Sequence, residues 1–188
     1  FALCVLAAVC LVTVSSAPLA CEELVRPSDR LGLDHLAGTW VMVAGGLSDA
    51  AQVDHFKSRD SAIIHFANTS ESSKLSFRRA FGFGSSCRFL HSNISLEGSS
   101  FNIGQVNFTV TFLFTSCPDC LVMHFDNQQS KMQRLYLFSR RRELEPREME
   151  EHKAQSLCLN MIPPVLMDPT KELCPVKAPE GDEETDGH

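Results

Sequence analysis

Three observations predict an all-β fold, an antiparallel meander of eight strands followed by one helix. Eight segments read as strands, and the links between them are short and rich in Ser, Asn, Gly and Asp. No helix-period segment interrupts the series, which excludes a parallel α/β sheet. The 188 residues suffice for one domain with a real core and are short for two. Composition alone leaves two architectures open, a sandwich or a barrel, of which only the barrel removes the exposed sheet edges.

The first strand opens at Gly38-Thr39-Trp40, which holds the only Trp of the chain, and runs into apolar Val41 to Ala44. Residues 45–57 lack alternation and carry Asp49, Asp54 and His55, so they read as a loop with one helical turn, long enough to cover a cavity mouth. Seven further strand-like runs follow at 60–67, 74–83, 86–96, 100–106, 107–116, 120–126 and 133–139. Residues 144–161 then read as a helix. Pro146 suits its first position, Glu145, Glu148, Glu150 and Glu151 favour the N-terminal dipole, and Met149, Leu157 and Leu159 supply apolar contacts.

Three Asn-x-Ser/Thr sequons, at Asn68, Asn93 and Asn107, orient the strands, because a glycosylated Asn must point outward and successive residues face opposite sides. Asn93 puts Cys87, Phe89 and His91 outside and Arg88, Leu90, Ser92 and Ile94 inside. Asn107 puts Thr109, Thr111, Leu113 and Thr115 outside and Phe108, Val110, Phe112 and Phe114 inside. The run at 74–83 repeats the pattern, with Leu75, Phe77, Arg79, Phe81 and Phe83 on one face.

The compartment is read from the ends and the cysteines. Residues 1–14 are apolar or small and uncharged, too few to span a bilayer, and Ser15-Ser16 suits cleavage. Residues 1–16 are therefore read as a secretory signal whose start is truncated, 17–176 as one domain, and 177–188 as an acidic, disordered, solvated tail. Removal of Cys4 and Cys10 with the signal leaves Cys21, Cys87, Cys117, Cys120, Cys158 and Cys174, an even set that fits a secreted disulfide framework. The formal charge of -6 and the scattered basic residues indicate no nucleic-acid footprint.

A helix after an eight-strand meander, together with Gly38-Thr39-Trp40 and Phe138-Ser139-Arg140, resembles the lipocalin family over nearly the whole mature chain. The resemblance implies an eight-stranded antiparallel up-and-down β-barrel with one C-terminal helix packed outside. It also implies that Arg140 packs over Trp40 to seal the closed end. The family's usual Thr-Asp-Tyr is replaced by Thr115-Ser116-Cys117-Pro118-Asp119-Cys120, as in divergent lipocalins. Within them the cysteines are similar to those of the orosomucoid, or acid glycoprotein, branch, whose fish relatives include saxitoxin- and tetrodotoxin-binding proteins. That likeness implies the pairs Cys21 with Cys158 and Cys87 with Cys174.

Cys117-Pro118-Asp119-Cys120 reads as a disulfide clamping a hairpin turn, since redox pairs of this spacing start a helix and here both flanks alternate as strands. One such pair cannot complete a zinc site, and the six histidines before the tail never lie two to five residues apart. No cofactor, metal or catalytic constellation is expected. The functional candidate is the barrel interior, wide enough in this family for one small ligand. Parity nominates Phe77, Arg79, Phe81, Leu90, Phe108, Val110, Phe112, Phe114, Met123, Phe125, Tyr136 and Phe138 as its lining, those nearest the closed end serving as core filler.

Arg79 interrupts an aromatic face on which no carboxylate is found, which favours neutral lipophilic or anionic amphipathic ligands. Asp49, Asp54, Glu71 and Glu97 are placed in loops at the mouth, where they could contact a cation. The leading reading is a secreted, plasma-type glycoprotein, monomeric and without a stable membrane span, that carries a small molecule. The alternatives are a lipid transporter resembling apolipoprotein M that keeps its signal as an anchor, a glycan-mediated immunomodulator, and an isomerase-type enzyme that would need a reactive thiol.

Overall fold

The computed structural model describes residues 20–29, 31–71, 73–176 and 183–185. The expected signal, residues 1–16, lies outside them. Short helices α1 (Cys21–Leu24) and α2 (Leu33–Leu36) precede strand β1 (Gly38–Leu47). After helix α3 (Val53–Lys57) come β2 (Ser61–Asn68), β3 (Leu75–Phe83), β4 (Ser86–Ile94), β5 (Ser100–Ile103), β6 (Phe108–Leu113), β7 (Cys120–Asn127) and β8 (Met132–Ser139). Helix α4 (Pro146–Cys158), β9 (Val165–Leu166) and β10 (Glu183–Thr185) complete the chain. All eight expected strands are present, and the expected helical turn in the first loop is α3.

The sheet runs β4-β3-β2-β1-β8-β7-β6-β5, each neighbouring pair antiparallel, so first and last strands of the meander meet through β1 and β8. Between β4 and β5 the described pairing is the Glu97–Ser100 bridge, which leaves the barrel nearly closed. The inner face is apolar, and the outer face is polar except where β1, β7 and β8 are covered by the C-terminal helix and where Val41, Ile63, Ala80 and Phe89 pack near Cys174.

Successive turns of a meander fall at opposite ends. Trp40 starts β1 at the closed end, where Leu36 of α2 is fully buried and accepts a hydrogen bond from Trp40 Nε1 at 2.8 Å. The turns after β2 and β4 share that end. Glu71 and Glu97 therefore lie in closed-end turns, not at the mouth as the sequence reading had them. Asp49 remains at the open end, where it caps the turn before α3 by accepting from Ala51 N at 2.9 Å.

Two departures in β1 shape the mouth. A bulge between Met42 and Ala44 shifts its register against β8, and its described pairing with β2 ends at Val41–Ile63. Beyond that point β9 pairs with β1 instead, through Ala44–Leu166 and Gly45–Val165. The C-terminal strap thus fills the seam that β2 leaves.

Helix α4 is held by a capping box in which Glu145 and Glu148 satisfy each other's backbone N–H groups, with Pro146 at its start. It covers a second apolar cluster on the outer face that includes Val43, Val122, Leu135 and Leu137. The face it buries carries His152, Gln155 and Ser156, whereas Leu157, expected as an apolar contact, is 60% exposed. Gln155 explains part of this, because its Nε2 donates to the carbonyls of Leu24 (2.9 Å) and Phe114 (2.7 Å) and ties α4 to two other segments.

The three disulfides are Cys21–Cys158, Cys87–Cys174 and Cys117–Cys120. The first anchors α1 to the end of α4, and the second ties the strap to the start of β4, from outside the barrel as the parity of Cys87 requires. Within the segment read as a solvated tail, Glu183–Thr185 pair in parallel with Phe89–His91 of β4. Residues 177–182 and 186–188 lie outside the described ones.

Candidate functional site

The inner wall is layered from closed end to mouth. At the base the Phe66 and Phe77 rings stack at 4.8 Å, Phe77 meets Phe101 at 5.4 Å edge to face, and Phe101 and Phe66 reach Phe112 at 5.7 and 6.1 Å. These rings, with Trp40 and Phe138, are fully buried and fill the lower barrel. Val110 and Met123 are equally buried one layer up. Five nominated residues, Phe77, Val110, Phe112, Met123 and Phe138, thus form packed core.

The mouth layer is less closed. Phe81, Phe108 and Phe125 are partly buried and pack on the rim of the core, Leu90 is half-buried opposite Arg79 in the β3–β4 ladder, and Tyr136 touches Phe125 at 5.1 Å. Phe114 is the exception among the twelve. The strand ends at Leu113, Phe114 N donates to the Arg26 carbonyl at 2.9 Å, and the Arg26 guanidinium covers its ring at 4.3 Å, outside the inner cluster. Period-two alternation stopped applying one residue too early.

Arg79 is 9% exposed, stacks on Phe77 at 4.7 Å and donates from Nη2 to Ser92 Oγ at 2.7 Å, so it is an interior residue and not a solvated rim group. Two more arginines join it, and the sequence reading named neither. Arg134 points inward in the same alternation as Tyr136 and Phe138 and lies 5.4 Å over Phe108. Extending that alternation by one step would have found it. Arg59 follows α3, and its guanidinium lies over both Phe56 (5.4 Å) and Phe81 (4.5 Å). Burial lowers its pKa, with the Tyr136 phenol opposing that shift.

Phe56 occupies the mouth itself. It is 3% exposed, lies 5.8 Å from Tyr136, and takes the space where Gly45 lacks a side chain: a Cβ there would stand 2.4 Å from the ring. A cavity of about 30 Å³ remains beside it, and one of about 160 Å³ lies between α3 and the strap at Val165, Leu166 and Met167. A larger cleft of about 240 Å³ opens outside the barrel at the closed end, between Ser28 to His35 and the hairpin joining β6 to β7.

The Cys117–Cys120 pair sits in that hairpin with both residues buried. Arg141 holds Asp119 through Nε (2.7 Å) and Nη2 (2.9 Å) and Glu148 through Nη2 (2.7 Å), and it keeps both carboxyls below their usual range. Arg141 Nη2 also lies 3.5 Å from Cys117 Sγ, so the cation and its two carboxylates flank a sulfur that the disulfide already engages. The cysteines and Asp119 are also the one described group that could gather on a metal ion, and the disulfide uses both sulfurs.

The sequons fall at both ends. Asn68 ends β2 at the closed end and Asn93 lies on the outer face of β4; both are exposed. Asn107 is in the turn before β6 with φ +51°, and its Nδ2 donates to Gln129 Oε1 at 2.8 Å.

Comparison with known proteins agrees with this architecture. Residues 28–178 match the family model of the ApoM domain. Among solved structures the chain is similar to the siderocalin Ex-FABP, described as functioning through dual ligand specificities (TM-score 0.61, 16% identity, covering 71% of this chain and 93% of that one). It is likewise similar to siderocalin Q83, described as having a dual ligand binding mode (TM-score 0.63, 17% identity, covering 77% and 95%). No curated protein matches the sequence. At these identities the structural likeness establishes the fold.

Proposed function

The chain belongs to the ApoM-domain family of lipocalin-like proteins, and from that premise we propose that it is a secreted, glycosylated, monomeric carrier of a neutral lipophilic or anionic amphipathic molecule. The observation that carries this reading is the graded inner wall. Its base is solid aromatic packing, its mouth is aromatic but only partly buried, and the charges that line the mouth are arginines. Apolar surface with a few placed polar groups is the usual chemistry of a small-molecule site, and cationic groups beside aromatic faces favour an anionic head over a cationic one.

Guanidinium toxins, the ligands implied by the orosomucoid-like resemblance, fit this mouth poorly, because Arg59, Arg79 and Arg134 would repel them. The family match favours the other alternative raised by the sequence, a lipid carrier resembling apolipoprotein M. The two carrier readings share the cup and differ in whether residues 1–14 stay on the mature protein. Secretion is supported by the three disulfides and the sequons. A non-enzymatic role is supported by the burial of the Cys117–Cys120 pair, whose two sulfurs are joined to each other.

Titration of the Trp40 and Tyr136 fluorescence of the secreted protein with oleate, a lysophospholipid, a steroid and a guanidinium compound tests the reading. Saturable, stoichiometric binding of the apolar or anionic members, weakened by Phe108→Asp at the half-buried mouth, is expected. Binding of the guanidinium compound alone, or of none of them by calorimetry, would sink it.

A further inference from the structure

The wall of the barrel is weakest between β4 and β5. β5 has four residues, and among the described residues the two strands meet in the Glu97–Ser100 bridge at the closed end. β4 runs from the open end to the closed end and β5 runs back, so beyond that bridge the edge of β4 has no ladder with β5. The backbone groups along such an edge are a template for an added extended segment. The sheet order places β10 on this edge, with Glu183, Glu184 and Thr185 running parallel to Phe89, Leu90 and His91.

Charge complementarity singles out this occupant. From Leu75 to Ile94, which covers β3, β4 and their turn, the sequence holds Arg78, Arg79, Arg88 and His91 and no Asp or Glu. From Glu180 to Asp186 it holds five acids and no base. Strands lie about 4.8 Å apart, so β10 is one spacing from the strand of Arg88 and His91 and two from that of Arg78 and Arg79, within about a Debye length at 0.1 M salt. The covalent tether makes the contact intramolecular. The Cys87–Cys174 disulfide fixes the chain beside the first residues of β4, so a segment that continues from there along the strand enters it in parallel. The eight residues 175–182 reach up to about 28 Å, whereas Phe89 lies about 7 Å along β4 from Cys87. A tether this short gives a local concentration in the millimolar range, which populates a pairing too weak to form between separate molecules.

A three-residue strand is held by few backbone hydrogen bonds, each of about 1 kcal/mol net, so it closes the edge reversibly. We propose that the edge of β4 is a strand-addition site for an acidic extended segment. Residues 183–185 of the same chain occupy it as a salt-sensitive latch, and release of the latch opens the side of the barrel between β4 and β5. Release leaves β4 paired with β3 over its whole length and bridged to Cys174, so the barrel stays folded. A side port into the cup rests on the carrier reading; the latch itself does not.

The test uses the whole disulfide-bonded, secreted chain in three forms: wild type, Glu183→Gln/Glu184→Gln, and Glu184→Pro/Thr185→Pro, which removes an N–H of either parity. Hydrogen exchange of residues 86–94 is read at about 0.05 and about 0.5 M NaCl, with light scattering for oligomeric state. The expected result is that wild type protects this segment at low salt. Its exchange should speed by about threefold to tenfold at high salt and in the Gln variant, and by more in the Pro variant, every form staying monomeric. A synthetic peptide of residues 180–186 at millimolar concentration should restore protection to the Pro variant, and the same peptide carrying the two Gln substitutions should not. Equal exchange in wild type and the Pro variant overturns the latch, and so does protection that neither salt nor the Gln variant alters. Protection that arises only as dimers form gives the strand to a second copy and overturns the intramolecular latch. Bound oleate should leave the Pro variant about threefold or more faster than wild type, and equal rates overturn the side port. If wild type binds no oleate the carrier reading fails, and the exchange experiment decides the latch alone.

Discussion

The Arg140 guanidinium lies 3.5 Å over the Trp40 ring, joining the last strand of the barrel to the first. The same side chain gathers three carbonyls of the segment leading into β1. Gly38 makes the approach possible: its φ of +96° suits only glycine, and a Cβ would stand 3.0 Å from Arg140 Nη1. Arg140→Ala should therefore strand the carbonyls and lose the cation-π contact, at a cost of about 1 to 3 kcal/mol given that the guanidinium is partly in water. Arg140→Lys should recover little of it, since a point charge cannot serve three divergent acceptors. Urea unfolding followed by Trp40 emission measures both, and a Lys variant as stable as wild type would contradict the planar-fork account.

The contribution of each disulfide should follow the loop it closes. The sequence separations are 137, 87 and 3 residues. Chain entropy then assigns about 5, 4.6 and under 2 kcal/mol respectively, as upper figures. Paired Ser variants of Cys21–Cys158 and Cys87–Cys174 should be strongly destabilised, and the Cys117–Cys120 pair only mildly. Denaturant midpoints at matched m-values give the order, and an inverted order would mean that the hairpin clamp stabilises through its Arg141 network and not through chain closure.

Strand positions and faces were legible because two constraints on β-structure act locally: side chains alternate, and a sequon Asn must face out. Those two facts placed Phe77, Arg79 and Cys87 on the sides where they lie. What needed the third dimension was anything non-periodic. Phe56 and Arg59 sit in a stretch with no alternation, where a lone aromatic and a nearby arginine were the one available signal. Glu71 and Glu97 were sent to the wrong end because turn position depends on counting strands, not on local chemistry. The buried face of α4 was misread because Gln155 is held by carbonyls of α1 and of Phe114, just past β6, and His152 by burial alone, which no helical period encodes.

Acid should destabilise the fold well before its carboxylates titrate. Burial pushes the His152 pKa down to about 4, against an ordinary 6.5, with Gln155 offsetting a little. A base whose folded pKa lies below its unfolded one favours folding fully above pH 6.5. That contribution is lost as pH falls from about 6.5 towards 4, because the unfolded chain binds the proton first. The span corresponds to about 3 kcal/mol as an upper figure. His65 and His124, also lowered by burial, add in the same direction. His152→Met should flatten the fall in stability between pH 6.5 and 4, read from denaturant midpoints at each pH. An unchanged slope would assign it to other groups.

Phe56 fills the place that a ligand chain would take, so stability and affinity should oppose each other there. Phe56→Ala removes a fully buried ring from between Gly45, Tyr136 and Arg59, and should cost about 3 to 5 kcal/mol of unfolding free energy with the cavity it leaves. That cavity joins the small space beside Arg59 and enlarges the cup, so an apolar ligand should bind several-fold more tightly than to wild type. Gly45→Ala acts on the same contact from the other side. Its methyl would meet the ring at 2.4 Å, and since β1 is fixed between β8 and β9, the ring must give way. Both variants should therefore gain affinity for monoolein while losing stability, measured by calorimetry and thermal unfolding on the same preparations. If affinity falls in step with stability in both, Phe56 is part of the binding wall, and a ligand must pack against it instead of displacing it.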